Sequence, residues 1–295
     1  LEGFRKQKKS IQISDAFEMY LNEDCINKTP KTVRGYKDAF RLIVTNNYYI
    51  TPERILEDLI AFVNTAKPKK KSRYQASTIN IHLTAFKTFL TFCYKRNILQ
   101  DNIDIGRFRP PVTPKKVKTW HSDEIERLQE YFRTRDNEFS LLIKFIAATG
   151  WRIGEVLQLT WDKVEETMLY REPKQKGRLD PFPYTDELRE ILTELKPLST
   201  GDKVFRWSNG SQSSLTRTLN KAMADLNIEK DGRAWHTFRK TAATNWVNDE
   251  TIPIHEAQTL LGHKNIRTTQ QHYVKKDIAK IGEKLNAKNK EKQRK

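Results

Sequence analysis

At 295 residues the chain has room for two domains, and 54 Lys+Arg against 37 Asp+Glu give it a formal charge of +17 at pH 7. A surplus that large repels itself in a compact state and calls for a polyanionic partner, with nucleic acid ahead of an anionic membrane surface. The hydrophobic share of 37% is enough for packed cores, no apolar run approaches the ~20 residues of a membrane span, and the N-terminus lacks the apolar region of a secretory signal.

Residues 1–10 form a basic N-terminal segment, and 11–105 read as a small all-helical unit. Ser14 is expected to cap a first helix carrying Phe17, Tyr20 and Leu21. Thr29-Pro30 places a cap before proline at the first helical position, and Val33, Tyr36, Phe40 and Ile43 behind it make one apolar stripe. Thr51-Pro52 repeats the start signal ahead of Ile55, Leu59 and Phe62. Ser77 is expected to open a fourth helix with Ile79, Leu83, Phe86, Leu90 and Cys93 along one side. Cys25 and Cys93 have no metal-ligand spacing and read as core residues of a reducing compartment. Between the third and fourth helices, Lys69, Lys70, Lys71 and Arg73 are candidate phosphate contacts, although such runs are usually solvated loops.

Residues 106–119, with Pro110, Pro111 and Pro114 among basic residues that include Lys115 and Lys116, read as a stiff, positive linker that could follow a DNA backbone. A second unit, 120–282, mixes helices with a little strand. Helices are expected over 123–132 and 139–149, the latter ending on Gly150. A short helix running toward a strand follows over 151–161. Strands at 167–173 and 178–184 form a hairpin around Lys174-Gln175-Lys176-Gly177. Further helices start at Thr185 and cover 213–226, 236–247 and 253–261, with a basic helix from about 275. Residues 283–295 are a basic tail. The fold class is mainly α with a small β-sheet.

Three stretches carry candidate chemistry. Arg152 follows Thr149-Gly150-Trp151 where one helix ends and another begins, and Glu155, one turn later, could orient it. His236 and Arg239 share a face at the start of a helix, where the dipole favours an anion. Either pair alone is most often an ion pair or a core-edge histidine. Leu260-Leu261-Gly262-His263 closes a helix on glycine, and Thr268-Thr269-Gln270-Gln271-His272-Tyr273 ends on a tyrosine in a segment too polar for a core. Breaking a phosphodiester with a tyrosine needs cations on the non-bridging oxygens, a base for the phenol and an acid for the leaving oxygen. Arginines, with planar forks and permanent charge, suit the first task.

In this order and spacing, Thr149–Trp161 resembles the first arginine box of the tyrosine recombinase (phage integrase) family. His236-Thr237-Phe238-Arg239 resembles its His-x-x-Arg box, and Leu260–Tyr273 its histidine and nucleophile box. The resemblance covers essentially the whole chain, because 11–105 is similar to the family's core-DNA-binding domain and 120–282 to its α+β catalytic domain. It implies a site-specific recombinase of the integrase or transposase type, working without metal or cofactor through a 3′-phosphotyrosine and a Holliday junction. Tyr273 would be the nucleophile, Arg152 and Arg239 the phosphate clamp, His236 an acid or base, and His263 a phosphate hydrogen-bond donor. Glu155 would support, and Lys174, with Lys176 as the alternative, would protonate the leaving 5′-hydroxyl. The stretch from His263 to Tyr273 is one residue longer than the family's commonest spacing. Implied partners are duplex DNA bearing a specific site, three further copies in a homotetramer and accessory DNA-bending factors, with no membrane. The implied location is the cytoplasm, at the nucleoid. The rival readings are a type IB topoisomerase with the same chemistry, and a catalytically silent DNA-binding regulator.

Overall fold

The structure, a computed structural model, describes residues 11–66, 74–113, 118–173, 178–207, 209–248 and 252–262. The chain divides into two compact units, Leu1–Lys115 and Lys116–Lys295.

Four helices build the first unit: α1 (Ile13–Glu23), α2 (Pro30–Ile43), α3 (Pro52–Thr65) and α4 (Ala76–Lys95). The Thr-Pro start signals act as read. The Thr29 and Thr51 hydroxyls accept from the backbone N–H three residues on, at 3.3 and 3.4 Å, and a proline takes the first helical position of α2 and of α3. Such a cap contributes about 1 kcal/mol. The Ser14 cap and the Ser77 start are corrected. Ser14 lies inside the first turn of α1, whose N-cap is Gln12, and Ser77 lies inside α4, whose N-cap is Gln75. Tertiary pairing sets the first start: Gln12 bridges Tyr49, and the Ile13 N–H donates to the Tyr48 carbonyl at 2.9 Å.

The apolar stripes meet where Phe17 of α1 stacks on Phe40 of α2, with ring centroids 3.9 Å apart, and stands edge-on to Phe89 of α4. Cys25 and Cys93 are both buried and free. Of the basic, proline-rich stretch, the first residues pack on α4: Arg109 donates to the Thr84 hydroxyl at 2.9 Å, and Asn80 donates to the Pro110 carbonyl at 3.0 Å.

In the second unit, α5 (Ser122–Arg133) precedes α6 (Asn137–Thr149), which carries Phe139, Leu141, Leu142, Ile143, Phe145 and Ile146 buried around its circumference. A helix apolar on all sides must be enclosed, and α5, α8 (Asp186–Leu195) and α10 (Trp235–Asn248) pack against it. Between α6 and α8 run the one-turn α7 (Ile153–Val156) and an antiparallel hairpin of β1 (Met168–Arg171) and β2 (Asp180–Pro183), with Arg171 opposite Asp180. The expected strand after α7 is replaced by a lone bridge from Thr160 to Lys203 and a 3-10 turn over Trp161–Lys163. The hairpin strands are shorter than the sequence suggested. Pro181 and Pro183 bring no N–H to the ladder, which suits β2 only to a short edge pairing. Helices α9 (Gln212–Asp225) and α11 (Ile254–Leu261) complete the unit. No described helix is long and apolar enough to cross a membrane.

Candidate active site

The site begins where α6 stops. Gly150 closes α6 in the left-handed region, at φ +60°. A side chain there would meet the Ala242 Cβ at 3.1 Å and the Leu261 and Trp246 side chains at 3.4 Å, so glycine serves both the turn and the close approach of α10 and α11. Trp151 is then fully buried, and Arg152 emerges as the N-cap of α7.

Glu155, 7% exposed, holds Arg152 twice. One carboxylate oxygen accepts from the Arg152 backbone N–H at 3.0 Å and the other from Nη1 at 2.6 Å. The Arg152 side chain remains 48% exposed. A buried acid therefore orients the guanidinium of a side chain that is half exposed.

Arg239 lies in α10, one turn after the exposed His236. It is fully buried, donating through Nη1 to the Gly150 carbonyl at 3.0 Å and through Nη2 to the Leu261 carbonyl at 2.5 Å. Those carbonyls close α6 and α11, two helix C-termini whose partial negative charge suits a cation. Arg239 thus ties together the segment that leads into Arg152 and the segment that leads into His263.

The structure thus brings Arg152 and Glu155 into contact and links Arg239 to the backbone two residues before Arg152. Lys174, Lys176, His263, Tyr273, Lys69, Lys70, Lys71, Arg73, Lys115 and Lys116 lie outside the described residues.

Sequence reasoning passed over Arg171. This last residue of β1 has a side chain 1% exposed, between Glu155 (3.9 Å) and Asp180 (3.5 Å). Burial pulls its guanidinium below the ordinary range, and the two carboxylates oppose that shift. Asp180 also accepts from Arg178 Nε at 2.5 Å. A signal was present, since a hairpin centred on 174–177 sets Arg171 directly across from Asp180, an opposite-charge pair.

Comparison with known proteins gives a consistent frame. The model of the phage integrase family matches residues 118–280. The chain is 26% identical over 272 residues to the tyrosine recombinase XerC of Rickettsia peacockii (strain Rustic), covering 85% of this chain and 88% of the relative. It is 26% identical over 275 residues to XerA of Thermococcus kodakarensis, covering 88% and 89%. Among solved structures, a lambda integrase dimer bound to a COC′ core site superposes with a TM-score of 0.74 at 17% identity, covering 90% of this chain and 97% of that one. The Tn1549 transposon integrase with circular intermediate DNA gives 0.73 at 15% identity, covering 94% and 99%. A lambda integrase tetramer on a Holliday junction gives 0.73 at 18% identity, covering 90% and 78%.

Proposed function

The chain belongs to the phage integrase family, and we propose that it is a site-specific DNA recombinase whose Tyr273 cuts and rejoins strands through a 3′-phosphotyrosyl link. The observation that carries this reading is the anchoring of Arg152, a half-exposed side chain whose guanidinium is bonded by a buried carboxylate. A fork fixed in advance, with donors still facing outward, is what a phosphodiester oxygen requires.

The Tyr273 oxygen attacks phosphorus, the P–O5′ bond breaks, and the departing 5′-oxygen takes a proton from Lys174, with Lys176 as the alternative donor. The phenolic proton passes to a base, for which His236, exposed at the start of α10, is suited. Arg152 and Arg239 supply the fixed positive field, and His263 a hydrogen bond to a non-bridging oxygen. Fixed cations do the work a Lewis-acid metal does elsewhere. The ester bond is exchanged rather than hydrolysed, so a 5′-hydroxyl from a second duplex can reverse the step and join strands without ATP.

Duplex DNA is the partner, with four copies exchanging strands at a Holliday junction and accessory DNA-bending factors assisting, in the cytoplasm at the nucleoid. Lys69, Lys70, Lys71, Arg73, Lys115 and Lys116 would contact backbone phosphates. Incubation with a nicked suicide duplex carrying the recombination site should leave protein covalently attached to the 3′ end. Wild type without an adduct would sink the enzyme reading; an adduct from Tyr273→Phe would sink the nucleophile assignment.

A further inference from the structure

We propose that Arg171 is a positioning residue of the strand-cutting site, bridging Glu155 and Asp180 so that Arg152 and the turn leading into His263 are held on one rigid base. The proposal rests on the recombinase reading above.

The arrangement is a chain of alternating charge. Asp180 Oδ2 lies 3.5 Å from Arg171 Nη2, Arg171 Nη1 lies 3.9 Å from Glu155 Oε2, and Glu155 Oε1 accepts from Arg152 Nη1 at 2.6 Å. The turn that ends α11 rests on the same group. A Cβ added to Gly262, itself left-handed at φ +62°, would collide with Arg171 Nη2 and stand 2.7 Å from Asp180 Oδ2. On the other side, the Arg171 Cζ lies 5.9 Å from the ring of Trp151, the residue before Arg152. One buried guanidinium therefore touches the support of Arg152, the neighbour of Arg152, the strand facing it across the hairpin and the turn before His263.

Its cost argues that stability is not its use. Among the described residues, Arg171 Nε and Nη1 are buried without a hydrogen-bond partner, and both carboxylate contacts are long. A buried pair of this quality often contributes no more than an apolar side chain of similar volume. What an apolar side chain cannot do is fix the far side of Glu155. With Arg171 in place, the Glu155 carboxylate that bonds Arg152 on one side has a second cation 3.9 Å away on the other, whose field favours the charged form that presents Oε1 to Arg152. Supports of this kind govern how well the group that touches the substrate is aimed.

The test uses the full chain and a suicide duplex. Arg171→Met keeps the stem and removes the charge. Its adduct formation should slow by about 10- to 100-fold, the loss that outer supports of metal sites show, while duplex affinity at fixed salt stays near wild type; Asp180 keeps Arg178 and Glu155 keeps Arg152 as partners, which limits the fall in melting temperature. Combined with Glu155→Gln, the loss should be no greater than that of the more damaging single change, because both break one linkage. Cutting by Arg171→Met at the wild-type rate would overturn the proposal. Additive losses, or a fall in melting temperature and affinity that matches the fall in rate, would overturn it as well. If Arg171→Met does not fold, Arg171→Lys decides. Its single ammonium cannot span both carboxylates, so a slowed reaction with normal DNA binding supports the bridge, and a wild-type rate refutes it. Absence of an adduct from wild type is a different failure, that of the recombinase reading itself.

Discussion

Arg239 carries a permanent charge into the interior and is tolerated there because two helix C-termini turn their carbonyls toward it. The same physics of burial acts in the first unit on Asp58, which is 9% exposed and accepts from the Tyr48 hydroxyl at 2.6 Å. Burial raises its carboxyl above the usual range, and the Tyr48 hydrogen bond acts against that rise. The folded state therefore holds the proton more tightly than the unfolded chain does. Stability from this group is greatest below the unfolded value, about 4, and falls as pH rises through the raised folded value. Asp58→Asn removes the titration and keeps an acceptor for Tyr48. In urea unfolding at steps from about pH 4 to pH 7, wild type should lose stability relative to this variant. A difference that stays constant across the range rejects the account. Asp58 could not be ranked from the sequence, where it is one acid on an amphipathic helix; Arg239 was singled out there, but not the two carbonyls that enclose it.

Among the elements, helix ends decide the site. Helices α6 and α11 both close on left-handed glycines, Gly150 and Gly262, and Arg239 donates to the carbonyl of Gly150 itself and to that of Leu261, the residue before Gly262. Alanine in the left-handed region costs roughly 1–2 kcal/mol from backbone sterics alone. Both Gly150→Ala and Gly262→Ala should lower the melting temperature by several degrees, read by circular dichroism. They differ in what the new Cβ meets. At Gly150 it presses on the Ala242 Cβ, which is fixed to α10; at Gly262 it strikes the end of the Arg171 side chain. Shortening Arg171 to Ala should therefore relieve part of the Gly262→Ala loss and none of the Gly150→Ala loss. Equal melting shifts in both backgrounds would refute the packing described. The glycine stops and the Thr-Pro starts were legible because each is a local rule, with a cap, a fixed φ or a positive φ at the marked position. Ser14 and Ser77 misled because the same residue type is also tolerated inside a first turn, and at α1 contacts with Tyr48 and Tyr49 moved the start upstream.

For the whole molecule, the charge of +17 makes DNA affinity a function of salt. Each phosphate contact releases condensed counterions, so log K falls against log salt with a slope of about −0.9 per contact. Replacing Lys70 by Ala should weaken binding to the specific site and to unrelated duplex alike, and flatten the slope by about one unit. Fluorescence anisotropy between about 50 and 200 mM salt measures both. A loss confined to the specific site would mean that this residue reads bases, and an unchanged slope that it meets no phosphate.

The sequence by itself determined the family, the mainly helical class and the order of the boxes. The helical class rests on periodicity and caps within single segments, and the family on the resemblance of three boxes taken in order. Tertiary structure alone decided how the boxes support one another. Glu155 grips Arg152 within one turn and was foreseeable from the sequence. Arg171 reaching Glu155, Gly262 resting on Arg171, and Arg239 joining Gly150 to Leu261 are contacts between segments distant in the chain. Their partners are chosen by which helix ends and which hairpin edge the core packs together, and no local pattern encodes that choice.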